Sequence, residues 1–356
     1  MEQIVELSEQ VLKGYIDSAI DAIRRDGLQS YAVSVLELCL KGFNSREECC
    51  IKFIDQYAEQ EDLLSYNKDG ISQSVLLDFS RLLGKQSNTI LLQKSTEMMQ
   101  HFVCDLIERG DSSDIQIQDD VDLFSFRPVS EYLLSELAEN EISVSSPETF
   151  NDPFDCLILS AIRNEQERLD EIKKRYYAKT YVDELQKVRV RCFFGWQDDM
   201  ITQPYLKNLM WGHYAKNHQG ICIKYTLTTK KPILTNGIVE PSVRARLDKV
   251  SYREGYVRKK GSLEYDECFL VKDSDWEYEN EFRLVYYDAN KGNLHYQVPL
   301  ESLGLRIDAI YFDLNCTTSN RNLIKKLLKG KDVNFYTIKR NRGYLNKIYA
   351  QPDKVV

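Results

Sequence analysis

Trp276-Glu277-Tyr278-Glu279-Asn280-Glu281-Phe282-Arg283-Leu284-Val285-Tyr286-Tyr287 is the stretch whose reading decides the fold. Taken with the two-residue period of a strand, it places Trp276, Tyr278, Phe282, Leu284 and Tyr286 on one side and Glu277, Glu279, Glu281 and Arg283 on the other. The apolar side predicts a packed sheet face. A solvated face held by cross-strand pairs accounts for the acidic side, and so does the wall of a cleft. Further strands are expected outward from it: Leu123 to Arg127, Glu141 to Pro147, Val188 to Gly195, Ile221 to Leu227, Ile233 to Val239, Asp248 to Tyr252, Phe269 to Lys272, Leu305 to Phe312 and Val333 to Ile338. Helical patterns lie between them over 130–138, from Asp152 onward, over 205–215 and over 320–328. This mixture predicts a mixed or antiparallel curved sheet with inserted helices, an α+β domain rather than a doubly wound one. The glycine-rich dinucleotide fingerprint and the phosphate-loop motif are both absent from the sequence.

At 356 residues the chain exceeds the size at which one hydrophobic core usually suffices, so two domains are expected. Over residues 1–110 apolar positions recur at three and four, and the runs stop at Gly27, Gly42, Gly84 and Gly110. That segment is expected to be an all-helical bundle or recognition domain, able to dock a protein partner. The acidic, polar residues 111–120 read as a linker, 121–340 as the sheet domain and 341–356 as a carboxy-terminal tail.

Hydrophobic residues at 43% and charged residues at 29% describe a globular chain, not a disordered one. The formal charge of -8 argues against a general nucleic-acid coat while leaving room for a local basic groove. Nine cysteines without short paired spacings suit a reducing compartment. The start lacks the basic and apolar parts of a secretory leader, and no run of about eighteen apolar residues follows, so a cytoplasmic protein without membrane contact is expected.

Several side chains invite a chemical role. Arg127 stands at a strand-to-helix corner fixed by Pro128, where its planar donors could clamp a carboxylate or phosphate; a surface salt bridge explains it too. Asp152, Pro153 and Asp155 match a helix start with a capping box, whereas Asn151 and the Ser145-Ser146 pair are left without a structural task. His213 and His218 are five apart and do not share a helix face, so no metal site is expected. Lys173-Lys174-Arg175 with Tyr176-Tyr177 could meet a polyanion, although a solvated helix end accounts for the cations equally.

Taken together, Phe126-Arg127, Ser145-Ser146-Pro147 with Phe150-Asn151-Asp152-Pro153-Phe154-Asp155, Cys192-Phe193, Met210-Trp211-Gly212-His213-Tyr214-Ala215 with His218-Gln219-Gly220, and Trp276 to Arg283 resemble the domain family of unknown function DUF2971 over about residues 121–340. Phe194-Gly195 departs from the small polar residue usual after Cys-Phe in that family, and a glycine-proline turn before the final helix is missing. A second resemblance is to ADP-ribosyltransferases. It implies a split site for NAD made by Arg127, by Ser146 or Tyr214, and by Glu281, with Glu279-Asn280-Glu281 standing for the glutamate-any-glutamate element. In that reading Arg127 neutralises the pyrophosphate, and Trp211, Tyr214 or Phe150 stacks on nicotinamide. Asn151 and His213 line the cofactor pocket. Glu281 orients the ribose, Glu279 activates the acceptor, and Lys272 and Arg283 hold the carboxylates.

The resulting expectation is an NAD-consuming ADP-ribosyltransferase or NAD glycohydrolase with a protein or nucleic-acid acceptor. By analogy it would serve as a bacterial defence effector. Two other classes stand beside it: a nucleic-acid-acting effector, and a noncatalytic module for ligand sensing and protein interaction.

Overall fold

The computed structural model describes residues 122–152, 155–156, 184–196, 203–227, 243–255, 265–344 and 346–353, together with six positions between 96 and 107. The helical expectation for residues 1–95, the strand expected over 233–239 and the basic cluster over 173–177 lie outside the described residues. By compactness the chain divides into one unit of Met1–Leu106, Asn164–Gln186 and Lys259–Ser262 and another of Ile107–Arg163, Lys187–Arg258 and Leu263–Val356. All the elements that follow belong to the second.

In chain order they are β1 (Asp122–Arg127), α1 (Glu131–Glu139), β2 (Glu141–Ser145), β3 (Arg189–Trp196), α2 (Asn208–Tyr214), β4 (Ile221–Leu227), β5 (Val243–Lys249), β6 (Ser251–Arg253), α3 (Tyr265–Phe269), β7 (Val271–Asp273), β8 (Glu281–Asp288), β9 (His295–Pro299), β10 (Leu305–Phe312), α4 (Thr318–Leu327), β11 (Asn334–Arg340) and β12 (Ile348–Pro352). The expectation of an α+β chain led by an all-helical domain is overturned. The described residues are mainly β-sheet, with four short bounded α-helices among them, and apart from six positions between 96 and 107 the segment on which the helical domain rested is not among the described residues.

Ten strands form one sheet in the order β12-β11-β10-β4-β1-β3-β2-β9, with β8 joined to β3 and β5 joined to β8. The branch lies at β3, where Phe194 pairs with Phe124 of β1 on one edge and with Glu281 of β8 on the other. Every pair in this sheet is antiparallel except β10 with β11, which α4 connects as a crossover. Two of the connecting helices, α1 and α4, have a capped start. Ser130 accepts from the Leu133 amide before α1, and Thr317 accepts from the Asn320 amide before α4. Asn140, left-handed at φ 60°, stops α1.

The sheet is packed on both faces. Leu123, Phe193, Ile223, Phe282 and Leu284 bury one face with Leu133 and Leu137 of α1 and Ile324 of α4. Phe124, Phe126, Phe194, Cys222 and Tyr311 bury the other with Met210 and Trp211 of α2. Two close approaches require glycine. A Cβ on Gly195 would stand 2.1 Å from a Phe282 ring carbon, and one on Gly220 would stand 2.2 Å from the Arg127 carbonyl oxygen. Gly220 is therefore needed for the contact with the end of β1, a stronger reason than ending a helix.

Candidate functional site

The acidic stretch is not one strand. Asp273 accepts from the Asp275 amide (2.9 Å) and starts a 3-10 turn over Ser274–Glu279, and Asn280 closes it in the left-handed conformation at φ 47°. An asparagine tolerates that conformation better than most residues, and its Nδ2 also donates to the Gly195 carbonyl at 3.0 Å. β8 begins only at Glu281. The expected alternation over 276–283 thus breaks at Asn280: Glu277 is exposed, while Glu279 is buried at the end of the turn.

From Glu281 the strand period holds. Phe282 and Leu284 enter the α1 face, so Glu281 and Arg283 point to the α2 face. There Arg283 Nε donates to Glu281 Oε1 (2.7 Å) and Nη2 to Glu281 Oε2 (3.1 Å). Nη2 also reaches the Asp155 carboxylate at 2.8 Å, and Nη1 reaches the Phe269 carbonyl at 2.8 Å and Cys156 Sγ at 3.3 Å. Lys272, brought in by β7, places Nζ 2.6 Å from Glu279 Oε2, 2.9 Å from Glu281 Oε2 and 3.8 Å from Asp155. The Tyr214 hydroxyl of α2 donates to Glu279 Oε1, and the Glu281 amide donates to the Tyr252 hydroxyl at 2.8 Å. Trp276 and Tyr278 from the turn and Tyr214 from α2 are half-buried around the group. The Trp276 ring centroid is 4.9 Å from Lys272 Nζ.

Three carboxylates thus share two cations in a buried place, and the charges are unequal in kind. Burial opposes the charge on Glu281, but Arg283 and Lys272 outweigh it and hold the carboxyl down to about 2. Burial pushes Asp155 up in spite of Arg283. Burial likewise raises Glu279, against the pull of Lys272 and Tyr214. Lys272 pays for its own burial yet is held above the usual lysine range by Glu281, Glu279 and Asp155. Burial and the Glu279 charge raise the Tyr214 phenol. Glu281 is therefore a fixed anion. Glu279, without an arginine partner, is the member suited to gaining and losing a proton.

The other expected site residues lie elsewhere. Arg127 shares the face of Leu123 on β1 and forks onto Glu136 of α1 at 2.9 and 3.1 Å, on the side of the sheet opposite to Glu281. Glu136 also accepts from Ser143, and Arg191 and Arg127 keep its carboxyl below the ordinary range despite burial. Trp211 is fully buried, donates Nε1 to the Tyr205 carbonyl at 2.9 Å and packs edge-on to Phe126, so it is core and not a cavity wall. Ser146 is buried with its amide on the Leu294 carbonyl at 2.7 Å. Asn151 and His213 are exposed. Asp155 is no return cap: it bonds its neighbour's Cys156 amide at 2.8 Å and Arg283, and Cys156 is left-handed at φ 49° in a turn. Sequence reasoning missed Asp155 and Tyr252 as members of the cluster, and Cys192, which stands opposite Arg283 across the pair of β3 and β8. Among the described residues no group of His, Cys, Asp or Glu is placed to hold a metal ion, and no helix is long and apolar enough to cross a membrane.

Residues 210–284 match the family model described as a protein of unknown function, DUF2971. The match begins in α2 and ends in β8, so it includes Tyr214, Lys272, Glu279, Glu281 and Arg283 and stops short of Arg127 and Asp155. No curated protein and no solved structure matches the chain. The resemblance to DUF2971 is thereby supported over those residues, and nothing in these comparisons supports the resemblance to ADP-ribosyltransferases.

Proposed function

We propose that this chain is an NAD-consuming enzyme whose chemistry is carried by Glu279, with Lys272 and Tyr214 orienting it. One observation supports the reading above the others. Glu279 is a buried carboxylate with a raised pKa, bonded by a phenol and an ammonium, beneath the half-buried rings of Tyr214, Trp276 and Tyr278. A structural ion pair needs no proton carrier. The fixed pair of Glu281 and Arg283 already supplies the structural anchoring, which leaves Glu279 as the member without a purely architectural task.

In this reading the nicotinamide ring lies against the Trp276 and Tyr278 side of the site, and the ribose C1′ faces Glu279. The bond between C1′ and the nicotinamide nitrogen breaks with its electron pair leaving on the ring, which neutralises the pyridinium. The excess negative charge of the cluster favours the positive charge developing at C1′. Glu279 takes the proton of the water or acceptor hydroxyl whose oxygen then bonds to C1′. Glu281 and Arg283 are positioning residues: they fix Lys272, which in turn fixes Glu279. Arg127 has no part in this, because it faces the other side of the sheet. Water as nucleophile gives NAD hydrolysis; a protein or nucleic-acid group gives transfer.

Following nicotinamide release from NAD, alone and with protein and nucleic-acid acceptors, tests the reading. Glu279→Gln keeps the side-chain volume and both bonded neighbours while removing the base, and is expected to lower turnover by about 100-fold or more. Failure of the wild-type protein to bind or cleave NAD under any of these conditions overturns it.

A further inference from the structure

The carboxy-terminal hairpin carries a surface that the NAD reading does not use. β11 and β12 pair antiparallel, with Lys339 opposite Tyr349 and Arg340 opposite Ile348, and β12 ends the strand order of the sheet. From Val333 to Pro352 there is no acidic residue, whereas Lys339, Arg340, Arg342 and Lys347 fall within it. All four cations are exposed, and none forms an ion pair with a described residue. The nearest acid beyond them, Asp353, is engaged by Lys325 at 3.2 Å and by the Thr337 hydroxyl at 2.9 Å. In a chain of formal charge -8 this is a concentrated patch of the opposite sign.

Rings stand among the cations. Tyr344 is 66% exposed and Tyr349 45% exposed, the two tyrosines of the hairpin that the core leaves uncovered. Residues directly opposite in an antiparallel pair share a face and neighbours along a strand alternate, so Tyr349 and Lys339 project together while Arg340, opposite Ile348, projects from the other face. The connecting loop is built to hold its shape. Asn341 Oδ1 accepts from the Gly343 and Tyr344 amides at 2.8 and 3.1 Å, the Asn341 amide donates to the Lys347 carbonyl at 2.8 Å, and Asn208 Nδ2 of α2 donates to the Asn346 carbonyl at 2.8 Å. The cations and rings are thus presented with little ordering left to occur on binding.

We infer that the β11–β12 hairpin is a docking surface for single-stranded nucleic acid, its phosphates met by Lys339, Arg342 and Lys347 and its bases stacked on Tyr344 and Tyr349. Unpaired cations interleaved with exposed rings suit a flexible polyanion that offers planar faces. A duplex keeps its bases stacked on one another and uses only the cations. An anionic membrane would use the cations and leave the stacking geometry idle. The inference does not rest on NAD chemistry, since binding is read without NAD.

Anisotropy of a fluorescent single-stranded 20-mer of uridine, titrated with the full chain at several KCl concentrations, tests it. Three phosphate contacts give a slope of log affinity against log salt of about -2, which is about a 20-fold loss between 50 and 200 mM. Lys339→Ala and Arg342→Ala are each expected to flatten the slope by about 0.7, and Tyr344→Ala to weaken binding by roughly 10-fold without changing the slope. All three positions are exposed, so folding is not at risk, and Lys329→Ala on the far side of β11 in sequence serves as the charge control. Absence of binding at 50 mM KCl, equal loss in the Lys329 control, or capture by phosphatidylserine vesicles with none of the oligonucleotide would each overturn the inference.

Discussion

Replacing Arg283 by Met keeps a long unbranched side chain but deletes five hydrogen bonds: two to Glu281, one to Asp155, one to the Phe269 carbonyl and one to Cys156. Arg283 is fully buried, and Glu281 and Asp155 retain little exposure, so neither carboxylate can turn to water. Lys272 remains beside both at 2.9 and 3.8 Å but cannot neutralise two anions while also holding Glu279. Removing one partner of a buried pair costs about 3–5 kcal/mol, and proton uptake by the stranded carboxyls limits the cost near the lower end. With an m-value of about 2–3 kcal/mol/M, the urea midpoint should fall by about 1–2 M at neutral pH. The loss should shrink as the pH falls, because protonation neutralises the stranded acids. Adding Glu281→Gln to Arg283→Met should restore part of the loss, since one unpaired charge then disappears. Tryptophan fluorescence in urea measures the wild type, both single variants and the double variant. A midpoint shift below about 0.3 M with an unchanged m-value, or a double variant as destabilised as the sum of the singles, would refute a sealed pair at the root of β8.

Gly195→Ala would place a methyl 2.1 Å from the fully buried Phe282 ring, and is expected to cost about 3 kcal/mol or more in the same urea assay. Arg127→Ala removes a mostly buried fork from Glu136 on the other face; about 1–3 kcal/mol of stability should go while the KM for NAD stays within about two-fold. The rate of nicotinamide release should fall on the acid side with a midpoint above 4.5, because the base form of Glu279 is lost as the pH drops through its raised value. A limb centred at or below that ordinary value would remove Glu279 from the role.

The strand runs were legible where both faces of the sheet are apolar. Ile221–Leu227 and Leu305–Phe312 have the bounds that alternation and β-branched content indicate, and α1 and α4 lie within a residue or two of their capping signals. The acidic stretch misled because a period-two pattern does not report a left-handed residue: Asn280 turns the chain, and a pattern of alternating Glu and aromatic side chains serves a 3-10 turn as readily as a strand. Lys272, Glu279, Glu281 and Arg283 were legible as a group because they are close in sequence. Asp155 was hidden because its spacing from Asp152 satisfies a local capping rule, while its actual partner, Arg283, is 128 residues away. Arg127 was assigned to the same site from motif order alone. Which face of the sheet it takes depends on the register of β1 with β3 and of β3 with β8, which no local pattern encodes.

The central claim is that Glu279 acts on NAD while Glu281 holds the site together. The most direct measurement is the rate of nicotinamide release per molecule by wild type and Glu279→Gln, each at saturating NAD, with NAD binding followed on the same samples. The account predicts release by the wild type, binding of similar strength in both proteins, and a turnover lower by about 100-fold or more in Glu279→Gln. Equal turnover in the two proteins would contradict it, as would a wild type that binds no NAD.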